Sequence, residues 1–174
     1  MHPASVRLPL PAEAAVITRV QRAAWAVRPA MAEMLTEVDP EEMTIAWTAA
    51  ILSPPLATYR LLVATDTNGQ IVGFTAVGPC EDEDAEPTTG AITEFCVLPD
   101  HWGAGHEDRL MHAAVDTLRA DGFERATWWV ISNDDITRTL LNESGWEPDG
   151  AHQEIGDETG KHRVKMVRLH TVID

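Results

Sequence analysis

GAITEFCVLPDHWGAGHEDRLMHAAVDTLRADGFERATWWVI, residues 90–131, holds an apolar run, a glycine-bearing turn, an amphipathic stretch and a second apolar run. The first run, Ile92 to Leu98, is far too short to span a membrane and is rich in strand formers, so it reads as a buried strand ended by Pro99. Beyond Gly105 the apolar residues fall at Leu110, Met111, Ala114, Val115 and Leu118, one face of a helix, and Gly122 stands where a helix C-terminus favours a left-handed residue. The second run, Ala126 to Ile131, is aliphatic or aromatic at nearly every position after Thr127, as a strand covered on both faces requires. Together the pieces predict a right-handed βαβ unit. The first turn of its helix presents unpaired N–H groups and the positive end of the helix dipole, and glycines at 103 and 105 let backbone approach an anion without an intervening Cβ.

Outward from this unit, 174 residues suit one domain spanning 1–174 with a substantial core. The N-terminus lacks a basic region followed by an apolar run, and no apolar stretch reaches the ~20 residues a spanning helix needs, so a soluble, cytoplasmic protein is expected. A formal charge of −15 repels nucleic acid and anionic membranes as partners and is compatible with a cationic or amine substrate. The two cysteines, Cys80 and Cys96, are too few for a disulfide framework.

In chain order, Ser5 to Leu10 reads as an edge strand and Pro11 as the start of a helix with Val16, Val20, Ala23, Ala24 and Val27 inward, ended near Arg28-Pro29. A loop follows, then a helix capped by Asp39-Pro40-Glu41-Glu42 and running to about Leu52. Tyr59 to Ala64 and Ile71 to Val77 form a hairpin around Asn68-Gly69. The acidic segment Glu81 to Glu86 reads as a mobile, solvated loop. Ser132 to Ser144 predicts a short helix with Ile136, Leu140 and Leu141 inward; Trp146 to Glu154 and Arg163 to Thr171 predict two closing strands, separated by the turn-rich residues 156–160.

This element order, with Val97-Leu98-Pro99 ending a strand before Gly103-Ala104-Gly105, and with Gly145-Trp146-Glu147-Pro148-Asp149-Gly150 later, resembles the GNAT superfamily of acyl-CoA-dependent N-acetyltransferases over essentially the whole chain. The resemblance implies an α/β fold with a mixed, mostly antiparallel sheet, splayed central parallel strands and flanking helices. It implies acetyl-CoA as co-substrate and a small-molecule or peptide amine as acceptor, and it allows a homodimer. It places the pantetheine arm between Ile92–Leu98 and Ala126–Ile131, held by backbone near Phe95, Cys96 and Val97, with the Val97 N–H polarising the thioester carbonyl. It places the pyrophosphate on Trp102, Gly103, Ala104, Gly105, His106 and Glu107.

Four positions depart from the family pattern. Trp102 replaces the basic or amide residue that opens the phosphate loop, and Glu107 replaces its closing small residue. Asp134 stands at the family's frequent asparagine, and Leu141 at the tyrosine that commonly protonates the departing thiolate. These departures motivate a second function of another class, a catalytically silent module of the same fold that binds a metabolite or a protein partner.

Among residues that could do chemistry, Glu94 is a carboxylate inside an otherwise apolar strand, where desolvation raises its pKa and suits it to take a proton from an ammonium. A rim position paired with an arginine is the alternative. Glu107, in the first helical turn, is expected to compete with phosphate for the N–H groups there; a solvated first-turn acid pointing away is the alternative. His101, His106 and His112 are spaced five and six residues apart, which does not place two imidazoles on one helix face, so they read as solvated turn residues and no metal site is expected. Cys96 in a buried strand reads as an inert small hydrophobe.

Overall fold

Gly105 takes a left-handed conformation (φ 90°) immediately before helix α4 (His106–Ala120), which lets the chain turn from strand β4 (Thr89–Val97) into the helix. Leu110, Met111, Ala114 and Leu118 of α4 are buried, as the spacing predicts, and the chain returns through β5 (Arg125–Ile131) parallel to β4. The computed structural model describes residues 3–156 and 160–174; Asp157, Glu158 and Thr159 of the expected turn lie outside the described residues.

Around this unit the chain builds one seven-stranded sheet in the order β1-β2-β3-β4-β5-β7-β6, using β1 (Ser5–Arg7), β2 (Arg60–Thr65), β3 (Ile71–Pro79), β6 (Glu147–Gly156) and β7 (Arg163–Val172). Among the described residues, only the β4–β5 pair is parallel. The expected mixed, mostly antiparallel α/β sheet is present, flanked by α1 (Ala14–Ala26), α2 (Pro29–Leu35), α3 (Pro40–Leu52), α4 and α5 (Asp135–Glu143).

The central strands splay because β4 carries an extra residue. Ala76 pairs with Glu94 but Val77 pairs with Ile92, so Thr93 is a bulge without a partner on β3. Parallel pairing with β5 runs from Thr89↔Arg125 to Ile92↔Trp128 and goes no further. A bulge bends its strand, and here the bend falls where β4 leaves β5. The gap between residues 93–97 and 129–131 follows from it.

One apolar cluster fills the α4 face of the sheet, with Ile92, Met111, Leu118, Trp128, Leu141 and Trp146 at its centre. Another fills the α1 face, where Ile17, Val20, Ala24, Phe74 and Cys96 meet and Trp47 packs edge-on against Phe74 at 5.2 Å. Among the described residues no helix is long and apolar enough to cross a membrane.

Four expectations are corrected. Residues after Arg28-Pro29 form a helix, α2, rather than a loop: Pro29 ends α1 and also occupies the first position of α2, which its fixed φ favours, while Arg28 before it is extended. In α1 the buried face runs through Ala14, Ile17, Val20 and Ala24, leaving Val27 61% exposed. In α5 Ile136 points outward at 63% exposure, because Thr137 takes the inward position beside Leu140 and Leu141. The acidic segment is pinned. Arg168 donates to Asp82 at 2.9 Å, to Asp84 at 2.7 Å and to Asp149 at 2.6 Å, and its guanidinium sits 5.5 Å from the Trp129 ring centre. Trp129 Nε1 donates to Asp82 at 3.0 Å.

Candidate functional site

The gap between the splayed strands opens into a cavity of about 290 Å³ lined by Trp25, Glu94, Phe95, Cys96, Trp129 and Met166, among others. Beside it lies a more apolar groove of about 500 Å³ walled by Val27, Pro29, Val97, Pro99, Trp102 and Ile136. Arg28, Ile131 and Asp134 line both, so the two spaces share one wall. Leu98 N donates to Val72 O at 2.8 Å on β3. Backbone groups alternate in direction along a strand, so the N–H groups of Phe95 and Val97 face the opposite edge, into the gap.

Glu94 sits on the α1 side of β4. Its Oε1 accepts hydrogen bonds from Trp25 Nε1 at 3.4 Å and Cys96 Sγ at 3.3 Å. Burial raises its pKa above the ordinary carboxylate range, and the donors Cys96, Trp25 and Gln21 together with the charge of Arg28 oppose the rise. Burial pushes the Cys96 thiol well up, and the neighbouring Glu94 carboxylate adds to this, so Cys96 stays a protonated donor rather than a thiolate nucleophile. Arg28 is itself bound to Asp134 at 2.9 Å and to Ala24 O at 2.7 Å.

Asp134 is the N-cap of α5. Its carboxylate accepts from Thr137 N at 3.2 Å and Thr137 Oγ1 at 2.8 Å while pairing with Arg28, so the residue at the family's asparagine position ties α5 to the α1–α2 junction. Leu141 is 0% exposed in the core cluster of the α4 face. Its side chain has no surface toward either space.

The glycine turn brings Trp102, Gly103, Ala104, Gly105, His106 and Glu107 together at the head of α4, with Gly103 and Ala104 exposed. Glu107 is 7% exposed, and its Oε1 accepts from Gly103 N at 3.1 Å. The helix thus carries its own carboxylate on a backbone donor of the turn. Among the described residues, Glu107 Oε2, His101 Nδ1 and Arg109 Nε are the buried side-chain polar atoms without a hydrogen-bond partner, all within residues 101–109. His106 departs from the expected solvated residue: it is 6% exposed, and its Nδ1 meets Arg109 Nη2. Burial, then the charge of Arg109, lower its pKa and keep the ring neutral.

Trp25, Arg28, Met31, Ile155 and Met166 were invisible as site residues in the sequence. They reach the cavity only because α1, α2 and the β6–β7 hairpin fold over it; Arg28 carried a local signal for a helix end and none for a site.

The model of the acetyltransferase (GNAT) family matches residues 24–146. No curated protein matches the sequence. Among solved structures, yncA of Salmonella typhimurium, determined with its cofactor acetyl-CoA, superposes with a TM-score of 0.75 at 22% identity, covering 98% of this chain and 94% of its own. A phosphinothricin acetyltransferase of Sinorhizobium meliloti in complex with acetyl-CoA gives 0.76 at 19%, covering 98% and 88%. An N-acetyltransferase of Staphylococcus aureus gives 0.76 at 15%, covering 98% and 99%. At these identities the structural likenesses establish the fold.

Proposed function

The chain belongs to the acetyltransferase (GNAT) family, and from that premise we propose that it transfers an acetyl group from acetyl-CoA to the amine of a small molecule or peptide. The observation that carries this reading is the gap opened by the Thr93 bulge, with the N–H groups of Phe95 and Val97 on one edge and the Glu94 carboxylate in the cavity beside them. A pantetheine arm could add to the free edge of β4 as an extra strand does, and the Val97 N–H would then meet the thioester oxygen as negative charge develops on it. The pyrophosphate would sit on the turn at Trp102–Glu107, and the apolar groove beneath Trp102 and Pro99 would take the arm.

In this mechanism Glu94 accepts one proton from the entering ammonium. The neutral amine attacks the thioester carbon, the C–N bond forms, the C–S bond breaks, and the thiolate takes the second proton from nitrogen to leave as a thiol. Leu141, which stands at the family's tyrosine position, is in the core and carries no proton to donate to the thiolate. The same reading takes residues 1–174 as one domain, working in the cytoplasm as a monomer or homodimer, with no nucleic acid or membrane as partner.

A second reading, a silent module that binds a metabolite or protein partner, is favoured by Glu107 occupying the Gly103 N–H and by Leu141 being buried. Calorimetric titration with acetyl-CoA, run beside a thiol-release assay over a panel of amines, separates them. Binding with turnover on at least one amine is expected; binding with no turnover on any would favour the silent module.

A further inference from the structure

Glu94 is held by neutral donors from two elements, backed by a third. Trp25 Nε1 from α1 and Cys96 Sγ from β4 meet on the same oxygen, Oε1, and the side chain of Gln21 of α1 also acts to hold the Glu94 pKa down. Gln21 is 5% exposed, and Trp47 Nε1 of α3 donates to its Oε1 at 2.8 Å, which turns the amide nitrogen end away from Trp47. An amide is directional, so this bond decides that Gln21 offers donors rather than its oxygen to the carboxylate.

The charged and titratable groups around the cavity are few. Arg28, at the α1–α2 junction, attracts Glu94 but is bonded to Asp134 at the head of α5. Cys96 is a neutral thiol. From β5 and β7 the cavity wall presents Trp128, Trp129, Val130, Ile131 and Met166, and from β6 Ile155, none of which titrates. Among the described residues Glu94 therefore has no cation committed to it alone, while Trp25, Phe95, Trp128 and Trp129 also line the cavity. A carboxylate satisfied by neutral donors keeps its charge available for a guest, and aromatic walls favour a cationic one.

We propose that Gln21, Trp25 and Cys96 are positioning residues that hold Glu94 as an aimed carboxylate without a dedicated cation, and that the acceptor enters as an ammonium which pairs with it. This rests on Glu94 being the proton acceptor of the transfer. Donors that stabilise the charged form hold its titration midpoint down, so removing one raises the midpoint.

The test needs no acceptor. Protein carrying 13C at the glutamate side-chain carboxyls is titrated by NMR, and the Glu94 resonance is the one lost in Glu94→Gln. Trp25→Phe and Cys96→Ala should each raise the Glu94 midpoint by about one pH unit, and Cys96→Ser, which restores a donor, should bring it back toward wild type. Amide spectra show whether each variant is folded, and Trp25→Phe keeps the ring that packs there. Saturating propylammonium should lower the midpoint, and propanol should leave it alone. Unmoved midpoints in both Trp25→Phe and Cys96→Ala overturn the seat, and propylammonium behaving like propanol overturns the ammonium guest. With an amine that supports thiol release, full turnover in Glu94→Gln would sink the proton-acceptor reading and the seat with it, whereas lost turnover with unmoved midpoints sinks the seat alone.

Discussion

Replacing Glu107 with glycine should tighten acetyl-CoA binding at least tenfold. The Glu107 carboxylate is 7% exposed and bonds the Gly103 N–H at 3.1 Å, inside the turn that would receive the pyrophosphate. Left in place about 5 Å from one phosphate charge, at an effective dielectric near 20, it repels the ligand by on the order of 3 kcal/mol, roughly a hundredfold in affinity. Swinging it out instead sacrifices a hydrogen bond to a charged acceptor, about 1.5 kcal/mol, which sets the tenfold floor. Glycine in the first turn loses the favourable carboxylate–dipole contact and some helix propensity, about 1 kcal/mol each, so the variant should also melt several degrees lower. Calorimetric titration of wild type, Glu107→Gly and Glu107→Gln at fixed ionic strength measures the effect. Pantetheine, which has no phosphate, is the control and should bind all three alike. Unchanged acetyl-CoA affinity in both variants, or equal tightening for pantetheine, would refute the competition.

Glu94→Gln should lower turnover by roughly a hundredfold or more while leaving acetyl-CoA affinity unchanged, read by thiol release and calorimetry on the same preparation. The same variant should gain stability at alkaline pH: the folded-state pKa of Glu94 is raised, so its contribution is fully present below the unfolded carboxylate pKa and is lost as pH rises through the folded value. The melting-temperature gap between Glu94→Gln and wild type should therefore close as pH falls into the ordinary carboxylate range. Arg168→Met should cost about 2 kcal/mol by removing the shared cation of Asp82, Asp84 and Asp149, seen as a lower melting temperature and faster proteolysis within residues 81–86. Leu141→Tyr should not restore a proton donor, because the side chain is 0% exposed in a packed core; a loss of about 1–3 kcal/mol of stability without any gain in turnover is expected, and increased turnover would show that the position reaches the site.

What could be read from the sequence was whatever is written locally. The 3.6-residue spacing in α4, Asn68-Gly69 between two strands and Asp39-Pro40 before α3 each act within a few residues, and each gave its element in the right place. The start of β4 was missed because its pattern is set from outside: a Cβ on Gly90 would lie 2.8 Å from Leu118, so the strand needs a glycine there although glycine is a poor strand former. Arg168 looked like an ordinary alternating strand residue, and only folding puts it against carboxylates 84 and 86 positions away.

Glu94 shows where local reasoning ends. Its cost inside an apolar run was legible, but both readings of it, site-facing base and rim residue beside an arginine, held part of the geometry: it faces a cavity, and Arg28 is close enough to act on its charge. What joins the two is the Thr93 bulge, a one-residue excess of β4 over β3 with no local sequence signature. Up to Ile92 the strand is paired on both sides and packs like any core strand. One residue beyond the bulge its β5 edge is free, and Glu94 lies beside a space rather than in a sealed interior. The bulge therefore both opens the gap for a ligand backbone and makes a carboxylate tolerable at position 94. Deleting Thr93 would join Ile92, on the α4 face, directly to Glu94, on the α1 face, which restores regular alternation, so the gap and the space beside position 94 would be lost together.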